Sequence, residues 1–259
     1  MSIEEIIEKS FNDLIKAITT DGTSSQLIFP KYRNKTVRYS EQELKQIFLK
    51  NVEEDKNYFY SIETPTEYVY CISNSDNPTV KEVHEKDDNY KSARFDVSLY
   101  NTDYKVNDNA SHHIEFKYGN PDQKNAICKD FLKLVSEVKF TNEKKNFFVH
   151  YLCVKTEKGW ESRTFPSLFS KYLDSVADII KSDLINEEDL SKVTVYLLCI
   201  FEEPEAESEP KIASAYHFSL ADLKNYKVRT KYSDLTDKSW LNEEIFNLGE
   251  EIHFKEIKK

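Results

Sequence analysis

The chain has 259 residues, with 36 Lys or Arg against 46 Asp or Glu, and a formal net charge of -10. Hydrophobic residues at 39% and aromatics at 13% are enough for a packed core and argue against wholesale disorder. The 4 glycines never cluster, which argues against a P-loop or a dinucleotide fingerprint, because both need glycine where backbone approaches phosphate. An acidic surface does not attract a polyanion globally, so any nucleic-acid binding must rest on a local basic patch, a metal or a partner.

Residues 3–18 place Ile3, Ile6, Ile7, Phe11, Leu14 and Ile18 at helical spacing. This acidic, amphipathic start is unlike a secretory signal, and no run approaches the roughly 18 apolar residues of a membrane span. The expectation is a cytoplasmic protein with no membrane partner. Cys71, Cys128, Cys153 and Cys199 form no CxxC pair, which points to reduced thiols and away from a zinc site.

The stretch Lys31, Arg33, Lys35 and Arg38, interleaved with Tyr32 and Tyr39, is the densest basic patch. Cations beside aromatics suit a nucleic-acid backbone and its bases, and a loop of scattered charges is the plainer alternative. A helix then starts near Ser40, with Glu43 completing a capping-box pattern and Leu44, Ile47 and Phe48 as its apolar stripe. Residues 57–72 read as two short strands broken near Pro65, and the polar stretch 73–91 reads as a surface loop.

Two alternating strands follow, 93–100 and 111–118, joined by the polar loop 101–110. Asn120 and Pro121 signal a helix start, with Ile127, Phe131, Leu134, Val135 and Val138 on its apolar side. The nearly continuous apolar run 146–154 predicts a central strand covered on both faces. A helix near 166–182, a strand at 192–201, an acidic turn from Glu202 to Pro210, a returning strand at 211–219, a short helix near 241–247 and a final strand complete the pattern. One α/β domain over residues 1–259 is expected, with a central mixed sheet flanked by helices and an extension from about residue 155.

Strand alternation puts Phe95, Val97 and Leu99 on one face and Arg94, Asp96 and Ser98 on the other. In the next strand Ile114 and Phe116 share a face, while His113, Glu115 and Lys117 share its opposite. If these strands pair, two carboxylates and an ammonium meet on an otherwise apolar sheet, which is costly unless they pair or bind a cation. Two carboxylates are hard-oxygen ligands of the kind Mg2+ or Mn2+ prefers. Lys117, kept charged by Asp96 and Glu115, would orient a water or neutralise the transition state.

Asp96, eighteen intervening residues and then Glu115-Phe116-Lys117 resembles the D…ExK signature of the PD-(D/E)XK nuclease superfamily. The expected order around it, helix, strand, Asp strand, ExK strand, helix, strand, is similar to that superfamily's core and spans about residues 38–154. Ser92-Ala93-Arg94-Phe95-Asp96, Ile114-Glu115-Phe116-Lys117 and Lys129-Asp130 look like prokaryotic members, although Phe95 stands where the signature has proline. The resemblance implies a restriction-endonuclease-like core, to which the pattern of the later residues adds a C-terminal β-hairpin and helix extension. It also implies a Mg2+- or Mn2+-dependent nuclease acting on nucleic acid, DNA by expectation, in a restriction or phage-defence setting. Asp96 and Glu115, with the Phe116 carbonyl, would hold the metal, and Lys117 would be catalytic. Glu41 and Glu43 both qualify as a further ligand on the first core helix, and Glu63 qualifies from the following strand. His113 qualifies as a supporting group or substrate contact, or as an ordinary polar strand residue, and Lys129 and Lys133 as phosphate contacts or as solvated lysines. The alternative is a non-catalytic interaction or oligomerisation protein on the same fold, as a homodimer or with a partner protein.

Overall fold

The computed structural model describes residues 1–19, 27–35, 37–71, 79–82, 91–103, 109–121, 124–155, 159, 163–182, 185–201, 212–225, 245–247 and 255–256. Five α-helices are described: α1 (Ile3–Thr19), α2 (Glu41–Asp55), α3 (Lys124–Ser136), α4 (Phe165–Ile179) and α5 (Leu220–Asn225). The strands are β1 (Tyr58–Cys71), β2 (Thr79–Glu82), β3 (Lys91–Asn101), β4 (His112–Tyr118), β5 (Asn146–Val154), β6 (Val193–Phe201), β7 (Ile212–Ser219), β8 (Ile245–Asn247) and β9 (Lys255–Glu256). They form one mixed sheet in the order β2-β1-β3-β4-β5-β6-β7-β8, with β9 also on β7. The α/β class with a mixed sheet flanked by helices is therefore as the sequence implies. Among the described residues no helix is long and apolar enough to cross a membrane.

The sheet separates two apolar layers. On one face Ile6, Phe11 and Leu14 of α1 and Leu44 and Phe48 of α2 pack on Val97, Ile114, Phe116, Phe147 and Leu198. On the other, Ile127 and Phe131 of α3 and Leu168 and Phe169 of α4 pack on Phe95, Phe148, Val195 and Leu197. β4, β5 and β6 are parallel neighbours, so the connections through α3 and α4 are crossovers. Both helices lie on one face, as uniform crossover handedness requires. β5 is the interior strand, buried from Asn146 through Leu152, as its unbroken apolar run implies.

Buried polar groups lock this frame. The Asn146 side chain accepts from the His113 amide and donates to the Leu134 carbonyl, both at 2.8 Å, tying β4, β5 and α3 together. His150 lies 2.6 Å from the Gly119 carbonyl through Nε2 and 2.5 Å from the Tyr172 hydroxyl through Nδ1. A carbonyl can only accept, so Nε2 carries the proton and Nδ1 accepts from the tyrosine, a neutral ring.

Several expectations need correction. Residues 58–71 form one strand, not two: the β1–β3 register shifts between Pro65 and Val69 instead of ending. The amides of Glu67 and Tyr68 are taken up at the shift by the buried Glu137 carboxylate, at 3.0 and 2.9 Å, and Tyr70 donates its hydroxyl at 2.7 Å. The expected loop 73–91 contains β2, which pairs with β1, and the first residue of β3; the rest lies outside the described residues. Phe95 does not share a face with Val97 and Leu99, but packs in the opposite layer. The β1–β3 register skips the opposed pair Glu63 and Asp96, and Glu63 has a left-handed φ of 54°. That conformation is strained for a residue with a Cβ, and it falls where the two strands change their facing.

The expected helix near 241–247 contains a strand at Ile245–Asn247, drawn into the sheet by the edge of β7, while 241–244 lie outside the described residues. The helix expected from Pro121 is described from Lys124. The turn 202–210 and residues 104–108 of the loop also lie outside the described residues. Cys128, Cys153 and Cys199 are not joined in disulfides, in keeping with reduced thiols.

Burial holds His150 at a pKa of about 3. An unfolded chain takes up a proton near pH 6.5 and the folded one does not, so this group's contribution is intact above pH 6.5 and falls as pH drops towards 3. Urea unfolding of wild type should lose about 1.4 kcal/mol per pH unit from this residue between pH 6 and 4. His150→Gln should be less stable at pH 7 and show a flatter profile over that range. Glu137→Ala strands two amides and should cost about 2–4 kcal/mol in the same assay.

Candidate active site

The β3–β4 ladder runs from Leu99↔His112 to Val97↔Ile114, and no further β3–β4 pair continues it. At that point Asp96 turns its carboxylate into the gap and accepts the Phe116 amide at 2.8 Å through Oδ2. A side chain thus replaces a ladder bond, and the strands splay around it. Phe116 faces α2, its ring tilted against Phe48 at 5.4 Å, so its neighbours Glu115 and Lys117 face α3.

There the charges interlock. Lys133 of α3 donates to Glu115 Oε1 at 2.5 Å, lies 3.3 Å from Asp130 Oδ1 and reaches the Arg94 carbonyl at 3.0 Å. Lys117 donates to Asp130 Oδ2 at 2.9 Å. Lys45, from α2, donates to Asp96 Oδ1 at 3.1 Å and lies 4.0 Å from Glu63. Glu115 is 5% exposed and Lys133 4%.

The structure therefore brings Asp96, Glu115 and Lys117 into one neighbourhood but gives them other partners than alternation alone suggests. The ammonium on Glu115 is Lys133, that on Asp96 is Lys45, and Lys117 is held by Asp130. Lys133 is neither a solvated lysine nor a free phosphate contact. His113 is neutral and buried: it bonds Ser98 at 2.8 Å and stacks on Phe95, and burial holds its pKa at about 3. The candidates for a further acid also separate. Glu43 is spent on the helix cap, accepting the Ser40 amide at 2.8 Å and hydroxyl at 2.6 Å. Glu63 is half-exposed at the rim, 3.9 Å from Arg94. Glu41 lies within electrostatic reach of Asp96, Lys117, Lys45 and Asp130.

The cluster holds four carboxylates (Glu41, Asp96, Glu115 and Asp130) against three ammoniums (Lys45, Lys117 and Lys133). It is one positive charge short, and its titration follows. Burial, then the charges of Asp130 and Asp96, push the Glu115 carboxyl well above the ordinary range despite Lys133. Burial and Asp96 likewise raise Glu41. Burial works against the Lys133 and Lys117 ammoniums, but Glu115 and Asp130 outweigh it for Lys133, as Asp130 and Glu41 do for Lys117, and both sit above the usual lysine value. Acids and bases alike are shifted upward, the direction in which an anionic surplus moves every group in the cluster.

Sequence reasoning missed Lys45 and gave Lys133 the wrong surroundings. A weak signal exists for each: Lys45 adjoins Leu44 in the helix stripe, and Asp130 and Lys133 stand one turn apart beside Phe131 and Leu134. Among the described residues no three His, Cys, Asp or Glu side chains gather as a ready metal cage. No protein-family model matches the chain, and no curated protein matches it.

Lys133→Met should lower the unfolding free energy by about 3–5 kcal/mol at pH 7, since it leaves Glu115 and Asp130 buried without their shared cation. Adding Glu115→Gln should return part of that loss, measured as coupling in a urea double-mutant cycle.

Proposed function

We propose that the chain is a metal-dependent nuclease that hydrolyses phosphodiester bonds on a restriction-endonuclease-like core. The observation that carries this reading is the meeting of Asp96, Glu115 and Lys117 where β3 and β4 splay, with the Asp96 carboxylate bound to the Phe116 amide. The order α2, β1, β3, β4, α3, β5 supports it, being the helix, strand, Asp strand, ExK strand, helix, strand order of the PD-(D/E)XK superfamily, with β2 as an insertion. A restriction or phage-defence setting, with DNA as substrate, fits a nuclease of this kind.

The donor chemistry fits a hard divalent cation: carboxylate oxygens exceed the ammoniums that face them by one charge. Asp96 and Glu115 would hold Mg2+ or Mn2+, with the Phe116 carbonyl as the resemblance implies. A site resting on two carboxylates suits Mg2+, which keeps much of its water. Bound there, such a cation polarises a phosphoryl oxygen and lowers the pKa of its water. Lys117, fixed by Asp130 and fully protonated, acts as a hydrogen-bond donor and positive charge for the pentavalent transition state, not as a base. Glu41 is the acidic side chain of α2 placed to support the site. Lys45 and Lys133 neutralise Asp96 and Glu115 when no cation is held.

One observation favours a second reading. Both proposed metal ligands already carry an ammonium, which suits a non-catalytic protein of the same fold acting through a homodimer or partner interface. Calorimetry separates the two. The nuclease should bind Mn2+ in a way that Asp96→Asn abolishes, and should cut DNA in Mg2+. Asp96→Asn and Lys117→Ala should each lower cleavage at least a hundredfold while keeping a cooperative unfolding transition. Wild type that neither binds Mn2+ nor cuts nucleic acid supports the interaction protein instead.

A further inference from the structure

The acidic chain needs a route by which a polyanion reaches the site, and the structure offers one beside it. From Gly22 to Ser40 the sequence holds no Asp or Glu, while Lys31, Arg33, Lys35 and Arg38 fall within eight residues. All four are exposed, and none pairs with a carboxylate among the described residues, whereas the lysines of the site are all paired. Tyr32, between Lys31 and Arg33, is 57% exposed.

This segment has a defined base and a presented tip. The Lys31↔Val37 bridge and the Arg38 amide on the Pro30 carbonyl at 2.8 Å close it. The Lys35 amide on the Tyr32 carbonyl at 2.9 Å turns the chain, with Lys35 at φ 68°. Below, Phe29 packs edge-on against Tyr39 at 5.4 Å, and Tyr39 lies 6.3 Å from Tyr118, the residue after Lys117. Tyr151 donates to the Ser40 carbonyl at 2.6 Å, fixing the start of α2 and with it Glu41. Arg38 is three residues from Glu41, a chain span of at most about 11 Å. Four cations without a carboxylate partner among the described residues, and an exposed aromatic ring, thus stand at the rim of an anionic site, on a support shared with it.

We infer that residues 30–38 form a polynucleotide-binding element that takes an unpaired strand, its phosphates on Lys31, Arg33, Lys35 and Arg38 and a base stacked on Tyr32. This rests on the nuclease reading and deepens it, since it names the form of nucleic acid presented to the site. Charge complementarity argues for the backbone, and a lone exposed tyrosine flanked by cations argues for a strand whose bases are free to stack. A membrane surface would match the charge but not the single aromatic on a short turn.

The test is fluorescence anisotropy with a labelled DNA oligonucleotide, single-stranded or duplex, in EDTA so that neither cation nor cleavage contributes. Arg33→Gln with Lys35→Gln should weaken single-strand binding at least tenfold near 0.1 M salt. It should also reduce the slope of log K against log salt by about 1.4, from roughly 0.7 per phosphate contact. Tyr32→Ala should weaken the single strand about tenfold and the duplex far less. Removing two exposed charges elsewhere, Lys50→Gln with Lys181→Gln, should change little. The assignment is overturned if Arg33→Gln/Lys35→Gln binds like wild type or like that control, if Tyr32→Ala affects strand and duplex equally, or if wild type prefers phosphatidylserine vesicles to DNA. Tight, loop-dependent binding without cleavage in Mg2+ would sink the nuclease reading and leave the loop assignment standing. Normal cleavage with unaltered binding by the loop variants would do the reverse.

Discussion

The ion pair between Glu115 of β4 and Lys133 of α3 is the constraint on which the rest of the site depends. Both groups are almost wholly removed from water, so each is tolerable only because the other is there. The pair fixes the rotation of α3 over the sheet. Asp130, one turn earlier, is then set to hold Lys117, and the Lys133 ammonium also ties down the Arg94 carbonyl of β3. A helix with the same apolar residues but without this charge could slide by part of a turn. The ion pair discriminates against that slide because a displaced α3 would strand Glu115 without Lys133 and pull Asp130 away from Lys117.

The remaining acids are handled differently, and the contrast explains the layout. Asp96 is pinned by a backbone amide as much as by Lys45, so its position belongs to the splay between β3 and β4. Glu43 stabilises the first turn of α2 and keeps away from the cluster. The cluster's negative surplus is therefore local, confined to Glu41, Asp96, Glu115 and Asp130, while a positive surplus lies on the turn before α2. The Tyr39, Tyr118 and Tyr151 rings link the end of that turn to β4 and β5 beside the cluster.

Much of this was legible in the sequence where the determinants are local. The 3.6-residue spacing of Ile3, Ile6, Ile7 and Phe11, the Ser40–Glu43 box and the apolar run of β5 each name an element because neighbours in sequence make it. That the Asp96 and Glu115 strands are neighbours follows from the pairing of β3 with β4; the turn of Asp96 into the gap where that pairing ends does not. What was hidden depends on distant residues. Pro65 looks like a strand break until Glu137, some seventy residues on, supplies the acceptors for the displaced amides. Phe95 changes layer because of a left-handed residue in a neighbouring strand, and no pattern within β3 records it. Lys45 and Lys133 read as ordinary helix lysines, since the carboxylates that claim them lie 51 and 18 positions away.

The Glu137 carboxylate also has a bearing on the order in which the chain can assemble. It accepts from Glu67, Tyr68 and Tyr70 at the far end of β1, across a gap of up to 70 residues. During synthesis the second half of β1 emerges long before its acceptor, so until α3 has been made and docked the shifted register has no partner for its amides. The first half, Tyr58–Ile62, pairs only with β3 and can form without α3. β1 is thus one strand whose two halves depend on different partners. The bulge is the seam between a stretch of β1 completed by β3 and a stretch whose displaced amides are completed only by the residue that follows α3.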